Sequence, residues 1–237
     1  MLSRTAKCAP TTLFTLSNKM VSPMNLTLYY APISCSLVPY LALTEAGADF
    51  DIRVVNFRRG GHLSLEYLRL NPKHKVPVLV IDGQPLTENI AIQLWIARSF
   101  PEARLLPSGD LNEFKAISLL AWCASGIHPH LTPNLLPQRY CDLPGSEESV
   151  RRCAHKMLLE NYQVAEGLLT GRDWFFDHFT LPDAYFFWCF RRGMQFKVDQ
   201  SGFPICRAHF ERVSRRASAQ KLLAFEAQTL VELEQVS

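Results

Sequence analysis

The sequence predicts an α/β domain of order βαβαββα followed by a second domain that is all α, and two observations carry this prediction. Strand-type runs rich in Val, Ile, Leu and Tyr occur only before about residue 101, where they alternate with helical patterns. After about residue 110 every periodic segment has the three- and four-residue spacing of helices.

Leu26-Thr27-Leu28-Tyr29-Tyr30 reads as a buried strand. Pro32 ends it, a helical pattern runs from Cys35 to Leu43, and Gly47 closes that helix. Phe50 to Asn56 is a second strand, and a helix between two such strands implies a right-handed crossover with the strands parallel. Arg58-Arg59-Gly60-Gly61 is a loop and His62 to Leu70 a short helix. The stretch from Asn71 to Glu88, N-P-K-H-K-V-P-V-L-V-I-D-G-Q-P-L-T-E, then supplies a hairpin turning at Asp82-Gly83. Pro77 cannot donate to a sheet ladder, so it belongs at the strand's start or in a turn leading into it, where a cis imide bond is a natural candidate. That bend leaves the Val76 amide and carbonyl free to hold an extended peptide as an added strand. Glu88 opens a third helix reaching Phe100, and a helix start offers N–H groups and partial positive charge to a carboxylate. Residues 25–101 form the first domain, and 102–110, with Pro107, Ser108 and Gly109, form a linker to a helical domain at 111–237.

In the second domain, Pro129, Pro133 and Pro137 should kink or break the first helix near His128. From Glu147 to Leu169, Val150, Cys153, Ala154, Met157, Leu158, Val164, Ala165 and Leu168 recur at helical spacing. Thr180-Leu181-Pro182-Asp183 has the form of a capping box with proline at the second helical position, which we read as purely structural. The helix that it opens, Ala184 to Phe190, is apolar nearly all round and should centre the domain.

With 237 residues, 48% of them hydrophobic, the chain can bury an ordinary core, and its longest apolar runs are too short to cross a bilayer. Its formal charge of +3 lies wholly in residues 1–24, which hold Arg4, Lys7 and Lys19 without an acidic residue. The balanced remainder argues against nucleic acid as a partner. Those first residues lack the apolar core of a secretory signal. We read them as a disordered tail or an over-extended start upstream of Met20 or Met24 in preference to a targeting segment, and expect their removal to leave stability and activity intact. Seven cysteines, none in a C-x-x-C pair, indicate neither a zinc site nor a disulfide framework, and a reducing, cytoplasmic setting fits.

This domain order, with its proline-initiated third strand, its acidic helix start, its linker and its capping box, resembles the cytosolic glutathione S-transferases over residues 26–235. Leu28-Tyr29-Tyr30-Ala31-Pro32-Ile33-Ser34-Cys35-Ser36-Leu37 and Asn71-Pro72-Lys73 look like the bacterial beta class in particular. The resemblance implies a thioredoxin-like first domain, a cis Val76-Pro77 bond, glutathione as co-substrate without a metal, a small hydrophobic electrophile as second substrate, and a homodimer. It further implies that the Val76 backbone pairs with the cysteinyl part of glutathione, that Glu88 binds the γ-glutamyl group with help from the Asn89 amide, and that Arg58 or Arg59, with Arg59 the assignment made here, adds a basic contact. His128 matches a histidine of the second domain. Asn89, Pro129 and Ala121 depart from the class pattern, which leaves a non-catalytic binding or regulatory module of the same fold as the alternative.

Glutathione transfer requires a thiolate, and free thiols ionise above neutral pH, so the protein must favour the anion. Cys35, where the first strand passes into a helix, suits that task either as a hydrogen-bond donor to the glutathione sulfur or as a thiolate forming a mixed disulfide. Ser34 and Ser36 are the substitutes, and His128 is a catalytic or substrate-binding candidate. The remaining cysteines and the four tryptophans read as packing.

Overall fold

The computed structural model describes residues 24–235. The segment 1–23, and with it nearly all of the supposed tail, lies outside the described residues. A four-stranded sheet of order β2-β1-β3-β4 is built from β1 (Leu26–Tyr30), β2 (Asp51–Val54), β3 (Val78–Ile81) and β4 (Gln84–Thr87). β1 and β2 are parallel, whereas β3 runs antiparallel to both β1 and β4. The helices α1 (Leu37–Glu45), α2 (Leu65–Leu70) and α3 (Asn89–Ser99) complete the order βαβαββα. Asp82 and Gly83 both have positive φ, +47° and +84°, which is the mirror-image turn that matches strand twist in a two-residue hairpin loop. The Val76-Pro77 bond is cis.

Two expected elements come out shorter. Only Leu65–Leu70 of the second helix is α-helical, because Ser64 caps it by accepting from the Tyr67 amide at 3.1 Å and a 3₁₀ turn fills Gly61–Leu63. The strand expected from Phe50 to Asn56 pairs regularly only over Asp51–Val54, an edge position with mostly exposed side chains.

Among the described residues six further α-helices follow: α4 (Asp110–Trp122), α5 (His128–Leu135), α6 (Glu147–Leu169), α7 (Leu181–Gln195), α8 (Pro204–Ser214) and α9 (Ala217–Gln235). Between α4 and α5 the expected break takes the form of a π-helical turn, Cys123–Ile127. Gly126 is required there, since a Cβ would lie 2.7 Å from Trp122 Cδ1. On α6 the buried stripe is Ala154, Leu158, Tyr162, Ala165 and Leu169, while Cys153, Met157, Val164 and Leu168 face outward. Spacing alone could not choose between two adjacent apolar stripes, and contact with α7 and α8 selects the one containing Tyr162, whose hydroxyl donates to Cys189 O at 3.2 Å.

One continuous core joins the halves: the α1 face of the sheet, with Leu28, Tyr30 and Leu41, runs into Phe186, Phe190 and Leu222. The opposite sheet face buries a small separate cluster of Ala31, Val55, Tyr67, Val76 and Val78 beneath α2. The capping box forms as expected, with Asp183 Oδ2 accepting from the Thr180 amide at 2.8 Å. Its second oxygen also accepts from the Phe175 amide and lies 2.9 Å from His209 Nε2, so the same carboxylate ties α7 to α8. At the far end of α1, Glu45 receives both Arg216 Nε and Nη2 at 2.7 Å, anchoring α9.

Candidate functional site

A cleft of about 890 Å³ opens where the sheet domain meets the helices. Ser34, Cys35, Val76, Pro77, Glu88 and Asn89 line it from the sheet side, and His128 lines it from the helical side. Seven candidates separated by up to ninety-four residues of chain (34 to 128) therefore share one cavity.

The Cys35 turn is fixed from within and from afar. Ser36 is fully buried; its hydroxyl accepts from the Ala31 amide at 3.0 Å and lies 2.6 Å from Ser34 Oγ, which donates to Ala31 O at 2.8 Å. Ser36 is therefore structural, and Ser34 is largely committed to the turn. Ile33 has φ +67°, an uncommon and strained conformation for a β-branched residue. The strain is held by the helical domain: the Ile33 amide donates to Glu226 Oε1 at 2.7 Å, and the Trp188 indole donates to Ile33 O at 3.1 Å. Glu226, on α9, is itself buried, pairs with Arg191 and lies 3.3 Å from the Tyr30 hydroxyl. Sequence reasoning gave no role to Glu226 and took Trp188 for a packing residue. The indole is both packing and wall, since it also meets His128 edge-on at 4.5 Å between ring centroids.

Cys35 is half-buried, and its thiol donates to Val76 O at 3.5 Å. Burial pushes the thiol up to about 12; the Asn89 amide and the Lys75 charge pull the other way without prevailing. Of the two roles expected of Cys35, hydrogen-bond donor or thiolate, the raised pKa favours the first in the free protein. α1 begins only at Leu37, and removal from water outweighs the nearby dipoles, so in the free protein Cys35 is a neutral hydrogen-bond donor. His128 is likewise neutral at physiological pH: burial lowers it to about 4, and its Nδ1 lies 3.1 Å from the Tyr185 hydroxyl.

Val76 lies two residues before the sheet ladder starts at Val78, so its amide is not committed to a neighbouring strand. Glu88 caps α3 with φ +74°, exposed and ion-paired with Lys73. Asn89 is more than an amide donor: its side chain donates to Cys35 O at 2.8 Å and accepts from Gln93 Nε2 at 2.9 Å, binding α3 to the Cys35 turn. Neither Arg58 nor Arg59 lines the cleft; both are exposed on the turn after β2, where the Arg59 amide donates to Asn56 Oδ1, and only Phe57 reaches the wall. The cations at the cleft are instead Lys73, Lys75 and Arg192. The two lysines lie in the Asn71 to Glu88 stretch that the sequence marked as central.

Residues 24–98 match the family described as glutathione S-transferase, N-terminal domain. The glutathione S-transferase GstA of Escherichia coli is 30% identical over 203 residues, covering 84% of this chain and 98% of that protein. A bacterial beta class glutathione S-transferase from Sphingomonas chungbukensis superposes with a TM-score of 0.75 at 31% identity, covering 84% of this chain and 98% of that one. A glutathione transferase homolog from Sulfitobacter, solved with bound glutathione, superposes with a TM-score of 0.79 at 25% identity, covering 84% and 97%.

Proposed function

Because the chain belongs to the glutathione S-transferase family, we propose that it binds glutathione in this cleft and transfers it to small apolar electrophiles. The carrying observation is the convergence of Cys35, Val76, Glu88, Asn89 and His128 on one cavity. Glutathione lies extended along Val76, whose free amide pairs with the cysteinyl carbonyl, while Glu88 receives the γ-glutamyl ammonium. The α3 N-terminus and Lys75 meet glutathione's carboxylates. In the transfer step the glutathione thiol gives its proton to solvent, and its sulfur forms a bond to the electrophilic carbon while the leaving group departs with the bonding electron pair. The neutral Cys35 thiol turns from Val76 O to donate to the developing sulfur anion, and Lys75 adds a favourable charge. His128 and Tyr185 are uncharged walls that position the electrophile. Retention on immobilised glutathione, with release by free glutathione, tests this reading. A binding module without the pocket would flow through.

We propose thiol–disulfide exchange through Cys35 as a second activity of the same cleft, supported by the position of its thiol among the walls. Its thiolate would attack oxidised glutathione, forming a mixed disulfide and expelling one glutathione thiolate. With the thiol held up at about 12, the rate of adduct formation should rise roughly tenfold per pH unit through the neutral range, following the thiolate fraction. Mass analysis of the Cys35 peptide after incubation with oxidised glutathione measures this, and a rate flat between pH 6 and pH 8 would contradict it. Cys35→Ser should abolish the adduct yet keep much of the transfer activity, since a hydroxyl donates the same bond. Unchanged rates in both reactions would make Cys35 a packing residue.

The chain should also be a homodimer. Leu111 and Phe114 on α4 are 69% and 67% exposed, apolar area that a second copy would cover. Light scattering should give about twice 27.0 kDa, and the monomer mass would refute it. We retain the reducing, cytoplasmic setting read from cysteine usage as part of this proposal.

A further inference from the structure

The helical wall of the cleft carries a cation that the transfer chemistry leaves unused. Arg192, on α7 one turn beyond Trp188, is half-buried, and its guanidinium carbon lies 4.2 Å from the centroid of the Phe196 ring. One nitrogen, Nη1, donates to Gln195 Oε1 at 2.8 Å, and among the described residues no carboxylate pairs with it. Glu88, the one carboxylate lining the cleft among the described residues, is taken by Lys73, and the buried Glu226 nearby is taken by Arg191. Burial and then the charge of Arg191 lower Arg192 to about 10, so it stays cationic at neutral pH. A partly desolvated charge without a counter-ion is costly to keep unless a ligand supplies one. Stacking on Phe196 orients the planar fork, and Trp188, Leu131 and Leu135 supply apolar lining to the same cleft.

Resting on the glutathione-transfer reading above, we propose that Arg192 receives a carboxylate on the second substrate, so that the cleft favours electrophiles with an apolar body and an anionic end. A guanidinium suits this because it meets both carboxylate oxygens with parallel hydrogen bonds. Glutathione's own carboxylates are assigned to the opposite wall, leaving Arg192 to the co-substrate.

The test compares a chlorodinitrobenzoate with its methyl ester, which share the reacting carbon and the chloride leaving group. The acid-to-ester ratio of kcat/KM should fall roughly ten- to hundredfold in Arg192→Met, and Arg192→Lys should restore part of it. An unchanged ratio, or a loss that appears in the glutathione KM instead, would overturn the assignment. If neither electrophile turns over with any variant, it is the transfer reading that has failed. Calorimetric binding of the dechlorinated dinitrobenzoate, which needs no transfer, still decides the role of Arg192: weaker binding to Arg192→Met supports it, and equal affinities refute it.

Discussion

Replacing Glu226 with glutamine should lower stability by about 3 kcal/mol, roughly 6 to 12 °C in melting temperature for a chain of this size. Its carboxylate is buried and serves the Arg191 guanidinium, the Ile33 amide and the Tyr30 hydroxyl at once. Glutamine keeps an acceptor for Ile33 but leaves Arg191 without its counter-ion, and a buried charge stripped of its partner is what makes such losses large. Ile33 is also the strained residue two places before Cys35, so the damage should extend to function: the glutathione KM should rise, and Cys35 should alkylate faster as its turn opens. Glu226→Asp should fall between. A melting temperature within a degree of wild type would show that α9 does not hold the turn.

Glu88→Gln should weaken glutathione binding about ten- to hundredfold, because a hydrogen bond between charged groups is worth about 1.5 to 3 kcal/mol. The fold should hardly notice. The Glu88 side chain is 68% exposed, and its pairing with Lys73 is a surface ion pair of the kind that contributes little. Isothermal calorimetry beside a melting curve separates the two effects. An unchanged dissociation constant would remove Glu88 from the site, and a large fall in melting temperature would mean that the substitution acts through the backbone at its strained φ.

The cleft-lining candidates that could be named in advance mostly belong to short local patterns. Val76-Pro77, Asp82-Gly83 and the Glu88 helix start are each legible because a proline without a donor, a turn requiring positive φ and an acidic residue ahead of an apolar run are constraints on neighbouring residues. The helix break at His128 was marked by its prolines in the same way, whereas a site role for His128 came only from the family resemblance. Arg58 and Arg59, between which the sequence could not choose, stand on an exposed turn, since a turn's direction is set by what packs beneath it, and here Phe57 takes the cleft side. Glu226 and Arg192 carry no local signature at all. An acidic residue on a long amphipathic helix and an arginine after an apolar run both read as solvated, and only folding places one under Ile33 and the other beside Phe196.

What the sequence determined by itself was the order of strands and helices, the hairpin, the break before His128 and the capping box. Hydrophobic period, turn chemistry and proline act over a few residues and need no partner elsewhere in the chain. The tertiary structure alone decided which stripe of α6 is buried, which cations face the cleft and whether the Cys35 thiol is ionised. Each of those depends on desolvation and on charges brought close from distant positions, as when burial in the assembled cleft overrides the dipole of a nearby helix and leaves the thiol protonated.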